Sequence, residues 1–143
     1  MINKFVGEYA FLSNFFEIPV YYSGILYQNS EAAFQAQKTL DPEERKNFST
    51  LNPSEAKKKG RHVALRDDWE QVKDDIMFDI VLSKFASNPV LKNLLLDTNN
   101  EELVEGNTWN DTYWGVCNGE GQNKLGKILM KVRSLLKETY PDF

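Results

Sequence analysis

The sequence has little of what metal and thiol chemistry require. Among its 143 residues there is one cysteine, Cys117, and one histidine, His62. A lone cysteine cannot form an internal disulfide, and its scarcity indicates a reducing compartment. One cysteine and one histidine are also too few for a zinc site. We therefore expect a structural role for Cys117, and neither a metal nor a cofactor.

Long apolar runs are also lacking. No stretch approaches the roughly 20 residues that span a bilayer, and the start, MINKFVGEY, lacks the apolar core and cleavage site of a signal peptide. We expect a cytoplasmic protein with no membrane partner.

Basic residues are not in excess, since the formal net charge is −4 and the pI is near 5.1. This balance excludes a general nucleic-acid binder, whose affinity comes from a basic surface. A local basic patch can still bind a phosphate-bearing small molecule or one modified nucleotide.

What is present is a globular composition, 41% hydrophobic and 27% charged. The length predicts a single domain over residues 1–143. Residues 18–22 and 25–28 flank Ser23-Gly24 and predict a hairpin. The rest of the pattern is mainly helical, so the sequence predicts a compact α+β fold with a small β-hairpin near the N-terminus.

Capping signals divide the helical part of the chain. Ser30 is the expected N-cap of the first helix, which we place at residues 30–38. Asp41-Pro42 and Asn52-Pro53 are expected to open the next two helices. The helix after Asn52-Pro53 is expected to end at Gly60, because glycine is favoured at the C′ position. Further helices are expected at about 68–86, after a capping box, and from Asn88-Pro89. In the helix after Asn88-Pro89 we expect Leu91, Leu94 and Leu95 to point inward. The last helix has apolar residues at helical spacing, and its expected inward positions are Leu125, Ile128, Leu129, Val132, Leu135 and Leu136.

The first of these helices carries the most unusual face of the chain. In the segment SEAAFQAQK, Glu31, Gln35 and Lys38 follow one another at i, i+4 and i+7 and share one side. The alanines and Phe34 between them indicate burial, and a buried charge needs a partner or a ligand. We interpret this face as the floor of an active site; the alternative is a solvated surface row.

Three further segments carry candidate binding residues. Ser13 and Asn14 lie between aromatic residues in FLSNFF, which suits a flat or sugar-like ligand and equally suits a turn that satisfies its own backbone. Arg61 lies in the basic stretch 57–66, where a guanidinium can bind phosphate, although basic helix ends are also ordinary dipole partners. Trp69 can stack on a planar base or pack in the core.

The longest connection of the chain, residues 101–121, is polar, aromatic and rich in glycine. It contains Asp111 and Trp114, and then Gly119, Gly121 and Asn123 lead into the last helix. Leu103–Glu105 is expected to form a short strand. Long ordered loops are often functional, and a glycine-rich loop before a helix N-terminus can hold an anion.

Taken in order, these segments resemble the YbiA-like or NADAR family, named for NAD and ADP-ribose. The resemblance rests on FLSNF, SEAAFQAQK, GR, LRxxWE, KF, LVE, NDxxWG, GxGxNxLG and LMxxR, and runs from about Gly7 to Leu136. No motif is decisive alone, but the order and spacing are specific. The sequence departs from the family at Ala32, where many members carry histidine; either that histidine is not essential to the activity here, or this chain lacks the activity.

The resemblance implies a compact α+β fold and N-glycosidase chemistry. Its proposed functional positions fall on Glu31, Trp69 and Asp111, and its other motif positions on Asn14, Lys38, Arg61, Trp114 and Asn123. Breaking a C1′–N bond develops positive charge on the ribose, which Glu31 would stabilise. Asp111 would hold ribose hydroxyls or share acid–base work. Arg61 and the Gly119–Asn123 loop would hold phosphate.

The resemblance leaves two choices open. Lys38 either attacks C1′ and forms an imine, or it merely binds phosphate or pairs with Glu31. The substrate implied first is ADP-ribosyl-guanine in DNA or RNA; the alternatives are ribosylamino-pyrimidine phosphates of riboflavin synthesis, or a non-catalytic module that binds ADP-ribose or a nucleotide. The expected partners are therefore an ADP-ribose or ribosyl-phosphate compound and ADP-ribosylated nucleic acid.

Overall fold

The computed structural model describes residues 1–139, so the last four positions of the predicted domain lie outside it. The predicted α+β class is confirmed. The elements in order are a 3₁₀ helix Gly7–Leu12, β1 Val20–Tyr22, β2 Ile25–Tyr27, α1 Ser30–Ala36, α2 Pro42–Asn47, α3 Pro53–Gly60, α4 Trp69–Ala86, α5 Pro89–Leu96, β3 Gly106–Asn107, β4 Val116–Cys117 and α6 Lys124–Thr139. No helix of residues 1–139 is both long and apolar enough to cross a bilayer.

Contacts within the chain define two compact units. The central unit is Asn14–Lys84, and the terminal unit is Met1–Ser13 with the chain from Phe85 onward. In the central unit, α1 is the organising helix, because all seven of its residues are buried and it packs against α3, α2 and both strands of the hairpin. The apolar core of this unit consists of Val20, Tyr27, Ala32, Ala33, Phe34, Ala36, Phe48, Ala56, Trp69, Ile76, Met77, Ile80 and Val81.

The predicted hairpin is present with shorter strands than expected. β1 and β2 pair antiparallel with Tyr22 opposite Ile25. The two loop residues, Ser23 and Gly24, have φ angles of 50° and 88°, and positive φ at both central positions is the type I′ turn that joins twisted strands. The hairpin buries Val20 and Tyr27 and turns Tyr21 and Leu26 outward.

Helix α1 begins differently from the prediction. Its N-cap is Asn29, whose Oδ1 accepts the Ala32 N–H at 2.7 Å. Ser30, the predicted N-cap, is the first helical residue. An asparagine immediately before a serine offers the same kind of cap one position earlier, and Ser30 is then left to hydrogen-bond outside its own helix. Helix α2 also differs, ending at Asn47 rather than near Thr50.

The predicted role of Gly60 is wrong. It is the last residue of α3, and Arg61 is the C-cap. A Cβ at Gly60 would lie 2.0 Å from Gln35 Oε1 and 2.8 Å from Gln35 Cδ. Glycine is therefore required here by the close approach of α3 to α1, and not by a left-handed helix end.

In the terminal unit, α6 packs against α5. Of the nine predicted inward positions on these helices, Leu94 and Leu135 are wrong, with exposed fractions of 40% and 37%. Both flank the buried stripe, where a small rotation decides burial. Leu103 makes a single parallel bridge with Ile2, and the strand expected at 103–105 occurs instead at Gly106–Asn107, paired parallel with β4.

Candidate active site

The most buried carboxylate of the candidate site is Glu31, with an exposed fraction of 8%. It lies in the first turn of α1, and its N–H donates to Asn14 O at 3.1 Å. Gln35, one turn later, donates its Nε2–H to Glu31 Oε1 at 2.8 Å. The predicted proximity of Glu31 and Gln35 is thus present. Glu31 is held through its main-chain N–H by Asn14 and through its carboxylate by Gln35.

Asn14 is the residue that fixes the start of α1. Its carbonyl accepts the Glu31 N–H, and its O and Oδ1 both lie 3.2 Å from the Ser30 hydroxyl, which donates to them. Its Nδ2–H donates to Met77 Sδ at 3.3 Å. The side chain is buried and ties the FLSNFF segment to α1 and α4. A ligand contact by Asn14 stays a prediction, as does one by Ser13, which belongs to the terminal unit.

Lys38 lies two residues past the end of α1, and not within it as predicted. Its N–H nevertheless continues the turn by donating to Gln35 O at 3.2 Å. Burial lowers the pKa of Lys38 below its usual range, Glu31 opposes this, and the positive charges of Arg61, Lys73 and Lys57 lower the pKa further. The sequence prediction that Glu31 and Lys38 interact is therefore consistent with their electrostatics.

The three cations whose charges lower the pKa of Lys38 form a group with it. We call this group the cationic cluster; it consists of Lys38, Lys57, Arg61 and Lys73. Arg61 is the C-cap of α3 and is exposed. Lys57 and Lys73 come from α3 and α4. Lys73 is half-buried and already donates to both carboxylate oxygens of Glu70, at 2.9 and 3.0 Å, so it contributes less positive charge than the other three. It was not identified from the sequence, because a lysine that follows a glutamate by three positions is typical of an ordinary surface pair. Three cations that each lower the pKa of Lys38 form, together with it, a positively charged region that suits an anion.

A second arginine of the basic stretch does not contribute to this cluster. Arg66 donates from Nε and Nη2 to the two carboxylate oxygens of Asp68 at 2.6 and 3.1 Å. Its main-chain N–H donates to Lys38 O at 2.8 Å. The bidentate geometry expected of a phosphate-binding arginine is thus occupied within the chain, and Arg66 instead fastens the segment that follows Lys38.

Gln35 carries an unusual buried atom. Its Nε2 is bonded to Glu31, while its Oε1 is buried with no hydrogen-bond partner in the described part of the chain. This Oε1 faces the Cα of Gly60. A buried carbonyl without a donor costs about 1–3 kcal/mol. The bond to Glu31 and the close packing of α1 on α3 hold Gln35 in this orientation in spite of that cost.

Trp69 is buried, with 6% exposed. Its ring packs on Phe34 with 5.1 Å between centroids and an interplanar angle of 50°. The structure therefore places it in the core of the central unit, where it shapes the wall beside α1. Stacking of Trp69 on a substrate base stays a prediction.

Lys84 is a buried amine that sequence analysis included only as part of the KF motif. It is 2% exposed, its Nζ lies 5.8 Å from the centroid of the Phe16 ring, and burial lowers its pKa to about 7. It shares the buried face of α4 with Met77, two turns earlier. The signal that could have found it is a lysine on an otherwise apolar helical stripe.

The remaining candidates lie in the terminal unit, and Asp111 organises their loop. Its Oδ1 accepts the N–H groups of Tyr113 and Trp114 at 3.1 and 2.9 Å. Asn107 Nδ2–H donates to Asp111 O at 2.8 Å. Trp114 is half-buried and packs edge-on against Tyr113, with centroids 4.8 Å apart. One carboxylate oxygen of Asp111 is thus used for structure, and its predicted catalytic role stays a prediction.

The glycine-rich loop before α6 has fewer amides to offer an anion than expected. The N–H groups of Glu120 and of residues 122–125 donate to main-chain carbonyls. Asn123 is buried; its Oδ1 accepts the Glu105 N–H and its Nδ2 donates to Leu103 O, both at 2.9 Å. Gly119 and Gly121 have positive φ angles that shape the loop. Phosphate binding by Gly119, Gly121 and Asn123 remains a prediction, and the cationic cluster is the better-supplied anion site.

Comparison with known proteins places these residues in a family. Residues 3–137 match the NADAR domain family. The chain is 40% identical over 133 residues to N-glycosidase YbiA of Shigella boydii, covering 90% of this chain and 82% of that protein. It is 35% identical over 138 residues to a riboflavin biosynthesis protein of Vibrio vulnificus, covering 94% of this chain and 37% of that protein.

A solved structure is also similar. The NMR structure of the Escherichia coli protein YbiA superposes with a TM-score of 0.85 and 36% identity, covering 100% of this chain and 91% of that one. The family resemblance suggested by the sequence motifs is thereby confirmed. The chain belongs to the NADAR domain family, among the YbiA-like N-glycosidases, which are hydrolases of N-glycosyl bonds.

Proposed function

We propose that this protein hydrolyses the C1′–N bond of a ribosyl-phosphate compound, with Glu31 as the carboxylate that faces the ribose. The observation that carries the proposal is the pairing of a buried Glu31 with the cationic cluster in one unit. A carboxylate supplies the charge that an oxocarbenium-like ribose needs, and the cations supply the grip on phosphate.

The reaction follows from these roles. The C1′–N bond breaks, its electron pair stays with the leaving base, and the base takes up a proton. Glu31 stabilises the positive charge that develops on the ribose and removes a proton from the attacking water, whose oxygen bonds to C1′. Lys38 keeps its proton and binds phosphate together with Arg61. The family resemblance also implies a role for the Asp111 carboxylate in turnover, which substitution of that residue can test.

The first candidate substrate is a ribosylamino-pyrimidine phosphate. It is favoured by the similarity to the Vibrio riboflavin biosynthesis protein. ADP-ribosyl-guanine in DNA or RNA is the second candidate, and it is favoured by the resemblance to the wider family and by the same phosphate-binding cluster. A non-catalytic module that binds ADP-ribose is the remaining alternative, and it predicts binding without product.

The test incubates the native protein separately with a ribosylamino-pyrimidine phosphate and with a single-stranded oligonucleotide carrying ADP-ribosylated guanine. Free ribose phosphate, free ADP-ribose and the released base are measured by mass spectrometry. Glu31→Gln should abolish release, whereas Glu17→Gln, which alters an exposed carboxylate of the same unit, should leave it unchanged. Release undiminished in Glu31→Gln would contradict the role of Glu31, and binding of both compounds without release would favour the non-catalytic alternative.

A further inference from the structure

The aromatic residue predicted to stack on the substrate base is buried in the core. Trp69 is 6% exposed and its ring is packed on Phe34. A base can stack only on a ring face that solvent or ligand can reach. The central unit should therefore present another aromatic ring near Glu31, if the substrate proposed above carries a planar heterocycle.

Phe15 meets this requirement. It immediately follows Asn14, whose carbonyl accepts the Glu31 N–H, and 42% of it is exposed. The residue before it is buried, so the segment holds the Phe15 ring at the surface of the central unit, one residue from the carbonyl that binds Glu31.

The ring of Phe15 is also connected to the cationic cluster. Lys57 Nζ lies 5.8 Å from the centroid of the Phe15 ring, and Lys57 is one of the charges that lower the pKa of Lys38. Glu31 acts on the pKa of Lys38 as well, so the Phe15 ring lies beside a charge of the same electrostatic environment that contains Glu31. A ring beside the phosphate-binding cations and next to the segment that positions the carboxylate is suited to the base end of a nucleotide.

We infer that Phe15 is a specificity-determining residue that stacks on the planar heterocycle of the substrate, while the cationic cluster holds its phosphate. This inference rests on the proposed N-glycosidase function. It requires only a flat ring attached to the ribose, which a pyrimidine of a free ribosyl phosphate and a guanine of a nucleic acid both supply.

The experiment compares Phe15→Leu, which keeps an apolar side chain without a ring face, with Phe15→Tyr, which keeps the ring. Tyr21→Leu is the control, because it removes another exposed ring of the same unit, on the hairpin. Kinetics are measured with both substrates named above, and ribose 5-phosphate, which has no heterocycle, is used as a competitive inhibitor. Phe15→Leu should raise KM by about 10-fold or more on the substrate that the native protein cleaves, without changing the inhibition constant of ribose 5-phosphate. Phe15→Tyr should restore KM.

Two results would overturn the inference. One is an unchanged KM in Phe15→Leu; the other is an equal loss of affinity for ribose 5-phosphate, which would indicate general damage to the site. If the native protein releases no product, the proposed function fails, and calorimetric binding of the same compounds then decides the role of Phe15 separately. If Phe15→Leu binds the base-bearing ligand more weakly and binds ribose 5-phosphate with unchanged affinity, stacking is supported. An equal loss of affinity for both compounds would exclude it. The substrate that shows the effect identifies the source of the heterocycle.

Discussion

The close approach of α3 to α1 leads to a prediction about Gly60. In Gly60→Ala, the new Cβ would lie 2.0 Å from Gln35 Oε1 and 2.8 Å from Cδ, whereas ordinary contact begins at about 3.4 Å. The Gln35 amide must therefore move by more than an ångström. Overpacking of this kind costs about 1–3 kcal/mol, and replacing glycine by alanine within a helix returns up to about 1 kcal/mol.

A double-mutant cycle isolates this contact. In a Gln35→Ala background the two clashing atoms are gone, so adding Gly60→Ala should be neutral or should stabilise the protein by up to about 1 kcal/mol. We expect a coupling free energy of about 1–3 kcal/mol between the two positions. The assay is urea denaturation of the four proteins, with Ser54→Ala, an exposed change in the same helix, as an additive control.

The same cycle has a functional readout. Gln35 donates a hydrogen bond of 2.8 Å to Glu31, so displacing its amide should lower kcat in Gly60→Ala about as much as Gln35→Ala does. A loss of stability in Gly60→Ala that persists unchanged in the Gln35→Ala background would refute the argument, because the clash would then not involve Gln35. An unaltered kcat in both single variants would show that Gln35 does not orient Glu31.

Three further predictions follow from the charged residues. Lys38→Arg should retain kcat within about 10-fold, because a guanidinium still binds phosphate; loss of turnover, with a borohydride-trapped adduct on Lys38 of the native protein, would establish the imine route instead. Lys84 has its pKa lowered to about 7 in the folded state, against about 10.4 when unfolded, so its contribution to stability rises as pH increases through this window. From pH 9 down to pH 6, the native protein should lose about 2–3 kcal/mol of unfolding free energy relative to Lys84→Met; parallel pH profiles would contradict this. Asp111→Asn keeps an acceptor for the Tyr113 and Trp114 N–H groups, so it should preserve the melting temperature and abolish turnover, while Asp111→Ala should lower both; full activity in Asp111→Asn would exclude a role for its charge.

Local signals in the sequence predicted the helices well, because capping is decided by neighbouring residues. Asp41, Asn52 and Asn88 each accept a main-chain N–H at the start of the helix predicted for them. The misplaced cap at Ser30 shows the limit of this reasoning. Asn29 and Ser30 are both good caps, and the choice was made by the hydrogen bonds of Ser30 to Asn14, which lies 16 residues earlier.

The site was only partly predictable for the same reason. Helical spacing was enough to bring Glu31 and Gln35 together, since they lie in one helix. The cationic cluster could not be predicted, because it depends on the packing of α1 against α3. No pattern in the sequence indicates that Gly60 allows these two helices to approach so closely. Trp69 and Phe15 illustrate the same limit, because both are aromatic residues beside polar ones and only the three-dimensional packing separates the buried ring from the exposed one.

The balance of charge around Glu31 bears on which substrates can react, as well as on which can bind. Cleavage of a C1′–N bond places positive charge on the ribose, and the net positive charge of the cationic cluster would oppose it. At an effective dielectric of about 20, one unit charge at about 6 Å opposes another by nearly 3 kcal/mol. A bound phosphate neutralises the cationic cluster before this charge develops, so that the field of Glu31 dominates at C1′. Under the proposed mechanism, phosphate therefore does more than anchor the substrate: it completes the electrostatic environment of the reaction, and a bare nucleoside would lose kcat together with affinity.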